Sequence, residues 1–238
     1  GCNTMFERWL EFFPTRRGLR PDTGPVAQWG SERGLHHAVI GQHGFELSGR
    51  LLGREMRAQG QPSSWPQIQG WELRARVDLG LPPAGQVVVM SSTLHRTLEA
   101  HADSLYRDAV GSVKTSAKTL PPELRWLSQL PAGRWAGPAP RFWSRYRVFC
   151  DASDLARLWL DEDAQALLLT GDDRLVAQVP LLVMLERGKC YLRLQLNPHA
   201  AQADAMLALD LLEHLSAHAL DLAARARAAG RAGISSRG

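Results

Sequence analysis

Three side chains with metal-binding chemistry recur at four-residue spacing near the C-terminus. Asp210, His214 and His218 would share one side of an α-helix, because residues four apart are neighbours on a helix surface. Two imidazoles and a carboxylate suit a divalent cation, so the spacing predicts a metal site and metal-assisted catalysis. The surrounding residues do not form an HExxH motif, and the three also fit the polar stripe of an amphipathic helix, which we favour.

The other groups that could do chemistry match no catalytic motif. Histidines cluster near the first predicted strand at His36, His37 and His43. Ser91 and Ser92 do not stand in GxSxG, and the glycines match neither the GxGxxG fingerprint nor the Walker loop. We therefore predict no cofactor and assign no catalytic residue, which leaves catalysis open and favours a non-enzymatic protein.

The chain is mildly basic, with 28 Lys and Arg against 24 Asp and Glu residues and a formal net charge of +4. Its lysines are Lys114, Lys118 and Lys189, so arginine dominates as expected of a GC-rich bacterial genome. Arginines on predicted strands alternate with acidic residues, and charges of mixed sign weaken the field that attracts phosphates. We expect no nucleic-acid binding there. The arginines in question are Arg50, Arg54, Arg57, Arg74 and Arg76.

The cysteines and the apolar runs indicate a cellular compartment. Cys2, Cys150 and Cys190 form no CxxC pair, and the last two stand in apolar strand-like runs, which predicts buried free thiols in a reducing compartment. The longest apolar run has seven residues, Val179 to Leu185, against about 20 for a membrane span. The sequence predicts a cytoplasmic protein, with the inner face of a membrane as the alternative.

The first twenty residues combine aromatic and basic side chains that could bind a membrane surface or a partner protein. Met5 to Phe13 predict a short helix that ends at Pro14, and a basic stretch follows. An aromatic face beside arginines is typical of segments that bind an anionic membrane surface or a partner protein, and packing on its own domain is the alternative. The residues predicted to make the contact are Phe6, Trp9, Phe13, Arg16, Arg17 and Arg20.

Alternating hydrophobicity predicts an antiparallel meander over residues 37–90. Period-two patterns run from Phe45 to Leu52 and from Trp71 to Leu79. Each pattern predicts a strand with one face on a core and the other toward water. In the second strand the face toward water would carry a ladder of mixed charge that includes Glu72 and Arg74.

The rest of the chain predicts helices, one strand and a hairpin. The hydroxyls of residues 91–93 (Ser-Ser-Thr) can cap a helix, and Phe142 to Cys150 predict a strand. A hairpin that turns at 186–189 leads into a long amphipathic helix. Apolar residues expected to face inward are Leu155, Leu158 and Trp159, and in the long helix Leu207, Leu211, Leu215 and Leu222. The sequence thus predicts an α+β fold and leaves open whether its strands form one sheet.

The predicted organisation has three parts. Residues 1–36 form an N-terminal helix and flexible adaptor, 37–224 the α+β domain, and 225–238 a frayed basic tail. The segment 131–140 is rich in proline and glycine, which predicts a surface loop and a subdomain boundary.

Four stretches carry a resemblance to a family. GRLLGREMRAQG, GWELRARVDLGL, LRWLSQL and LERGKCYLRLQ, with the closing helix, resemble uncharacterised bacterial proteins in which a soluble α+β domain often stands beside predicted membrane segments. The resemblance covers most of the chain in order. It implies the fold and a membrane neighbourhood, but no activity and no site residue.

These observations favour a non-enzymatic bacterial domain that binds a partner protein or a membrane surface. Two alternatives remain open. One is a metal-assisted enzyme that uses the helix histidines, and the other is a small-ligand binder with a pocket between the sheet and the long helix. The sequence does not predict an oligomeric state.

Overall fold

The computed structural model describes residues 24–110, 129–170, 179–197 and 201–235, with the backbone alone at 103–110 and 231–235. The helices are α1 (Pro25–Glu32), α2 (Ser92–Val110), α3 (Pro140–Arg145), α4 (Ser153–Trp159), α5 (Glu162–Thr170) and α6 (Ala201–Ser235). The strands are β1 (His36–Ile40), β2 (Gly44–Leu51), β3 (Arg54–Pro62), β4 (Trp71–Asp78), β5 (Val87–Ser91), β6 (Ala132–Gly133), β7 (Tyr146–Cys150), β8 (Leu181–Glu186) and β9 (Lys189–Leu196). They form the α+β fold that the sequence predicts.

The described strands form one antiparallel sheet of nine in the order β1-β2-β3-β4-β9-β8-β5-β7-β6. Strands β1 to β4 make the predicted meander, and the hairpin of β8 and β9 then inserts between β4 and β5. The two predicted groups of strands are therefore one sheet. Because β6 lies within 131–140 and pairs with β7, that segment does not interrupt the sheet.

Strands β4 and β9 pair along their whole length because their hydrophobic patterns match. Ala75 faces Leu192 on one side of the sheet, while Arg74 faces Arg193 on the other. A slip by one residue would turn every apolar side chain of a strand to the opposite face, so burial of one face fixes this register.

The two faces of the sheet pack against different partners. The helix-covered face lies against α1, α4, α5 and α6 and holds the main core, with Leu47, Leu73 and Leu192 among its buried residues. The second face is covered in part by α2 and the connection 63–70, which contribute Leu94 and Trp65 to a smaller core. The long helix therefore packs on the helix-covered face alone.

Residues 24–36 contribute to the core, although the sequence assigns them to the adaptor. Val26 and Trp29 of α1 are buried. The indole Nε1 of Trp29 donates to Asp210 Oδ1 at 2.7 Å, and Arg33 pairs with Glu213 at 2.8 Å, so α1 lies along α6. The burial of α1 places the start of the described fold ahead of β1.

Two helix limits differ from those predicted. The segment predicted as a strand from Phe142 begins instead as α3 and becomes strand only at Tyr146, because Pro140 favours the first turn of a helix. Helix α6 continues to Ser235 through the predicted frayed tail, since alanine and arginine are strong helix formers.

Two leucines expected to face inward are on the surface. Leu158 is 59% exposed and Leu207 is 40% exposed. Leu211 and Leu215 are buried as expected, and the other buried residues of α6 are Ala205, Ala208, Leu209, Leu212 and Ala219. The predicted contact segment from Phe6 to Arg20 lies outside the described residues. Within the part of the chain that the structure describes, no helix is long and apolar enough to cross a membrane.

Candidate functional site

A pocket of about 500 Å³ lies where the C-terminal half of α6 passes the end of the sheet. Four segments form its walls: the connection from β4 to β5, α4, the turn between β8 and β9, and α6. We call it the helix pocket. Its lining residues are Leu81, Pro82, Ala84, Gly85, Leu155, Leu158, Leu185, Gly188, Ala219, Leu222, Ala223, Ala226 and Arg227.

The turn between β8 and β9 fixes the floor of the helix pocket. Arg187 and Gly188 have φ values of 49° and 71°, as a two-residue hairpin turn requires. The carbonyl of Gly188 accepts a hydrogen bond from Leu79 N at 2.9 Å, which holds the connection from β4 to β5 against the turn. A Cβ on Gly188 would lie 2.0 Å from the Leu81 carbonyl oxygen. Only glycine therefore allows this approach.

Small side chains on α6 give the helix pocket its space. Ala219, Ala223 and Ala226 recur at helical spacing and line one wall. The facing wall carries leucines of α4, of which Leu158 is the more exposed. Alanine fills little volume, so a groove remains along the helix where larger residues would close it.

The charges at the helix pocket lie on α6. Arg227 is the charged member of the lining, and its Nε donates to the carbonyl of Ala223 at 3.2 Å. Among the described residues no acidic group pairs with Arg227, whereas Arg225 forms an ion pair with Asp221 one turn away. The chemistry available to a ligand is thus an aliphatic surface with one guanidinium at its edge.

The predicted metal ligands on α6 have structural partners. Asp210 accepts the hydrogen bond of Trp29 and lies 3.6 Å from Arg33. His214 and His218 stack with ring centroids 6.3 Å apart and turn toward a different carboxylate, that of Asp161. In the described parts of the chain, no group of three or more His, Cys, Asp or Glu residues is arranged to hold a metal ion. The three-ligand hypothesis receives no support from this geometry.

The histidines and Asp161 instead join helix ends. Asp161 Oδ1 accepts from Ala164 N at 2.8 Å and caps the start of α5. His218 Nε2 donates to the carbonyl of Leu158 at 2.7 Å, near the end of α4, and lies 3.4 Å from Asp161 Oδ2. These contacts tie the junction of α4 and α5 to α6 and so hold one wall of the helix pocket.

A polar cluster is buried on the second face. Arg193 holds the carboxylate of Glu72 with two prongs, Nε to Oε2 at 3.2 Å and Nη2 to Oε1 at 2.9 Å, and Arg74 Nε lies 3.4 Å from Oε1. The guanidinium of Arg193 stacks 4.6 Å from the Trp65 ring. Burial lowers the pKa of Arg74, and Glu72 partly opposes this shift. The prediction that this charge ladder faces water is wrong for Glu72 and Arg74, because the connection 63–70 covers them.

The cysteines and Ser91, which could act as nucleophiles, are buried or hydrogen-bonded. Cys150 and Cys190 are buried free thiols, as predicted. Burial raises the pKa of Cys150 and raises that of Cys190 to about 12, so neither supplies a thiolate near neutral pH. Ser91 Oγ caps α2 through Leu94 N at 3.2 Å and donates to the carbonyl of Val179 at 2.9 Å. The capping role predicted for Ser91 is confirmed.

Fold and site together define an α+β protein with an apolar pocket beside its long helix. No protein-family model matches the chain, and no curated protein matches it. A solved structure, that of the mycobacterial trehalose monomycolate transport factor A, TtfA, is similar with a TM-score of 0.41 and 10% sequence identity. The match covers 80% of this chain and 90% of that chain. A likeness so distant bears on neither ligand nor partner.

Sequence reasoning left a pocket between the sheet and the long helix open as an alternative and named none of its residues. The lining comes from four separate segments, and which of them meet depends on the pairing of β4 with β9. One local signal was present: Ala219, Ala223 and Ala226 stand at helical spacing where the apolar side of the helix would otherwise carry leucine. Small residues in such a row indicate a close approach or a groove.

Proposed function

We propose that the protein is a non-enzymatic binding domain and that the helix pocket binds an aliphatic ligand. The observation that carries this proposal is the pocket itself, about 500 Å³ of space with walls of Leu, Ala, Pro and Gly. Small-molecule sites span about 300–1,000 Å³ and are mostly apolar, with a few polar groups. Removing an aliphatic chain from water into such walls supplies about 0.8 kcal/mol for each methylene buried.

Two further observations support binding rather than catalysis at the helix pocket. His218, the histidine nearest the helix pocket in sequence, has its Nε2 engaged by the Leu158 carbonyl. Among the described residues that line the pocket there is no Ser, Cys, His, Asp or Glu that could act as nucleophile or general base. A binding role needs only shape and apolar surface, and the pocket supplies both.

The proposal is tested by filling the groove from one side. Ala223→Leu adds bulk to the wall of the helix pocket, whereas Ala224→Leu adds the same bulk to an exposed neighbour outside the lining. We expect the native protein to bind dodecan-1-ol in calorimetry, and Ala223→Leu to weaken that binding about tenfold or more. Ala224→Leu should bind as the native protein does. Equal binding by both variants would place the alcohol elsewhere and overturn the proposal.

A second contact is proposed from the composition of the N-terminal segment. Its aromatic residues and arginines suit an anionic membrane surface or a partner protein, as set out above. The test is deletion of residues 5–20 and sedimentation with vesicles that contain phosphatidylglycerol. We expect the full chain to sediment with the vesicles and the deletion variant to remain in the supernatant. Equal sedimentation of both would remove this segment from the membrane contact.

A further inference from the structure

We propose that the ligand of the helix pocket is a single aliphatic chain with an anionic head group, and that Arg227 binds the head group. This inference rests on the proposed function, since it assigns the polar end of the ligand whose apolar end occupies the pocket. The inference depends on the position of Arg227, which lies at the edge of the pocket and is the charged residue among those that the structure describes in the lining.

The guanidinium of Arg227 is held close to the apolar wall. Its Nε donates to the carbonyl of Ala223 at 3.2 Å, and Ala223 is itself a lining residue. This back-bond fixes one nitrogen and leaves the Nη groups without a hydrogen-bond partner among the described residues. A guanidinium offers its remaining donors as a fork that fits a carboxylate or a phosphate. The group is therefore placed to bind an acid whose chain lies beside it.

The neighbouring arginine provides the contrast. Arg225 is also exposed on the same helix, but it forms an ion pair with Asp221 and does not line the helix pocket. The helix dipole does not oppose an anion strongly at Arg227, because α6 continues two further turns to Ser235 and the dipole acts mainly within the last turn. Of these two cations, Arg227 alone combines an available charge with contact to the pocket.

The shape of the groove favours a linear chain. Ala219, Ala223 and Ala226 form one edge, and the rise from Ala219 to Arg227 is about 12 Å along the helix. Leu155 and Leu158 form the facing edge. A chain laid between these edges would have its apolar end toward Ala219 and its head at Arg227.

The test compares three probes with the same chain and different head groups. Dodecanoate, dodecan-1-ol and dodecyltrimethylammonium are titrated as monomers into the native full chain and into Arg227→Gln and Arg225→Gln. We expect the native protein to bind dodecanoate about tenfold more tightly than the alcohol and the ammonium compound least tightly. Arg227→Gln should lose this preference for the acid while it retains its affinity for the alcohol, and Arg225→Gln should keep both.

The outcomes separate this inference from the proposed function. A preference for the acid that survives in Arg227→Gln, or no preference in the native protein, would overturn the assignment of the head group. The proposed function would then still stand if Ala223→Leu weakens binding of the alcohol. Failure of all three probes to bind the native protein would overturn both.

Discussion

Among the residues that the structure describes, the carboxylates of Glu72 and Asp204 are both fully buried, but they lie on opposite sides of the sheet and have different partners. On the second face Glu72 forms a bidentate ion pair with Arg193 and lies near Arg74, and the Arg193 guanidinium stacks on the Trp65 ring. In the helix layer on the other side, Asp204 of α6 accepts a hydrogen bond from Asn197 N at 3.2 Å and has no other partner within the described parts of the chain. Burial raises the pKa of Asp204, and the Asn197 amide partly opposes this shift.

Glu72 and Asp204 differ in how well their surroundings compensate a buried negative charge. A carboxylate removed from water is costly unless a cation and hydrogen bonds replace the lost hydration. Arg193 and Arg74 replace the lost hydration of Glu72. Removal of the Glu72 charge would therefore leave two buried guanidiniums without a compensating carboxylate. Asp204 has one backbone donor among the described residues, and burial disfavours its charged form, so its ionisation opposes folding. On the second face the charges of Glu72, Arg74 and Arg193 therefore depend on one another, whereas the helix-covered face is mainly apolar and small side chains of α6 leave a pocket at its edge.

The largest expected effect comes from breaking the cluster on the second face. Glu72→Gln removes the charge that compensates Arg74 and Arg193 while it keeps the shape of the side chain. We expect it to lower the free energy of unfolding by about 3–5 kcal/mol, measured by urea denaturation. Glu55→Gln on β3 is the control, because Glu55 is exposed and should change stability by about 0.5 kcal/mol or less.

A triple variant distinguishes charge from packing. Replacing Glu72, Arg74 and Arg193 together by Met or Leu removes every member of the cluster at similar volume. Since a buried charge group costs hydration, we expect stability to return to near the native value or above it. If the triple variant is as unstable as Glu72→Gln, the polar contacts themselves stabilise the second face and our account of it is wrong.

The second largest effect is expected at Gly188, in the turn at the edge of the helix-covered face. Gly188→Ala places a Cβ 2.0 Å from the Leu81 carbonyl oxygen at a φ of 71°. We expect a loss of about 2–4 kcal/mol of stability, from left-handed strain and from displacement of the connection that lines the helix pocket. Binding of dodecan-1-ol should weaken with it, since the floor of the pocket moves.

Gly53→Ala is the matched control for Gly188→Ala. Gly53 occupies the same place in the two-residue turn between β2 and β3, with a φ of 72° and no atom within 4 Å of an added Cβ. It should lose only the left-handed penalty, about 1–2 kcal/mol, and leave ligand binding unchanged. Equal losses for the two variants would mean that the approach of Leu81 contributes nothing.

The same contrast explains which parts of the structure the sequence could predict. Period-two alternation identified β2 and β4 and the inward side of each, because that signal is local to the strand. The burial of Glu72 depends on the connection 63–70 folding over it and on β9 arriving beside β4, more than a hundred residues later in the chain. No local pattern reports such contacts, so a charge ladder that looked exposed became a buried cluster.

At the helix pocket, too, the sequence predicted the separate elements but not the contacts between them. The helix that carries Ala219, Ala223 and Ala226 was predicted, and so was the turn that contains Gly188. The helix pocket exists because these two elements meet α4 and the connection after β4. The histidines drew attention through their spacing alone, yet that spacing serves His218 as a cap for the end of α4. Spacing indicates which side chains share a face, but the neighbouring helix decides their partners.

The smallest expected effect is an increase in the free energy of unfolding when Asp204 is replaced. Because burial raises its pKa in the folded state, the protonated carboxyl stabilises the fold at pH values below the unfolded pKa. That contribution is lost as pH rises through the folded pKa. We therefore expect Asp204→Asn to be more stable than the native chain at pH 7, by about 1 kcal/mol, and equal to it near pH 3. Urea denaturation at the two pH values measures the difference, and Asp221→Asn, an exposed partner of Arg225, should show no such pH-dependent gain. If Asp204→Asn instead destabilises the protein at pH 7, then Asp204 is stabilised as fully as Glu72, and the two sides of the sheet do not differ in how they hold a buried charge.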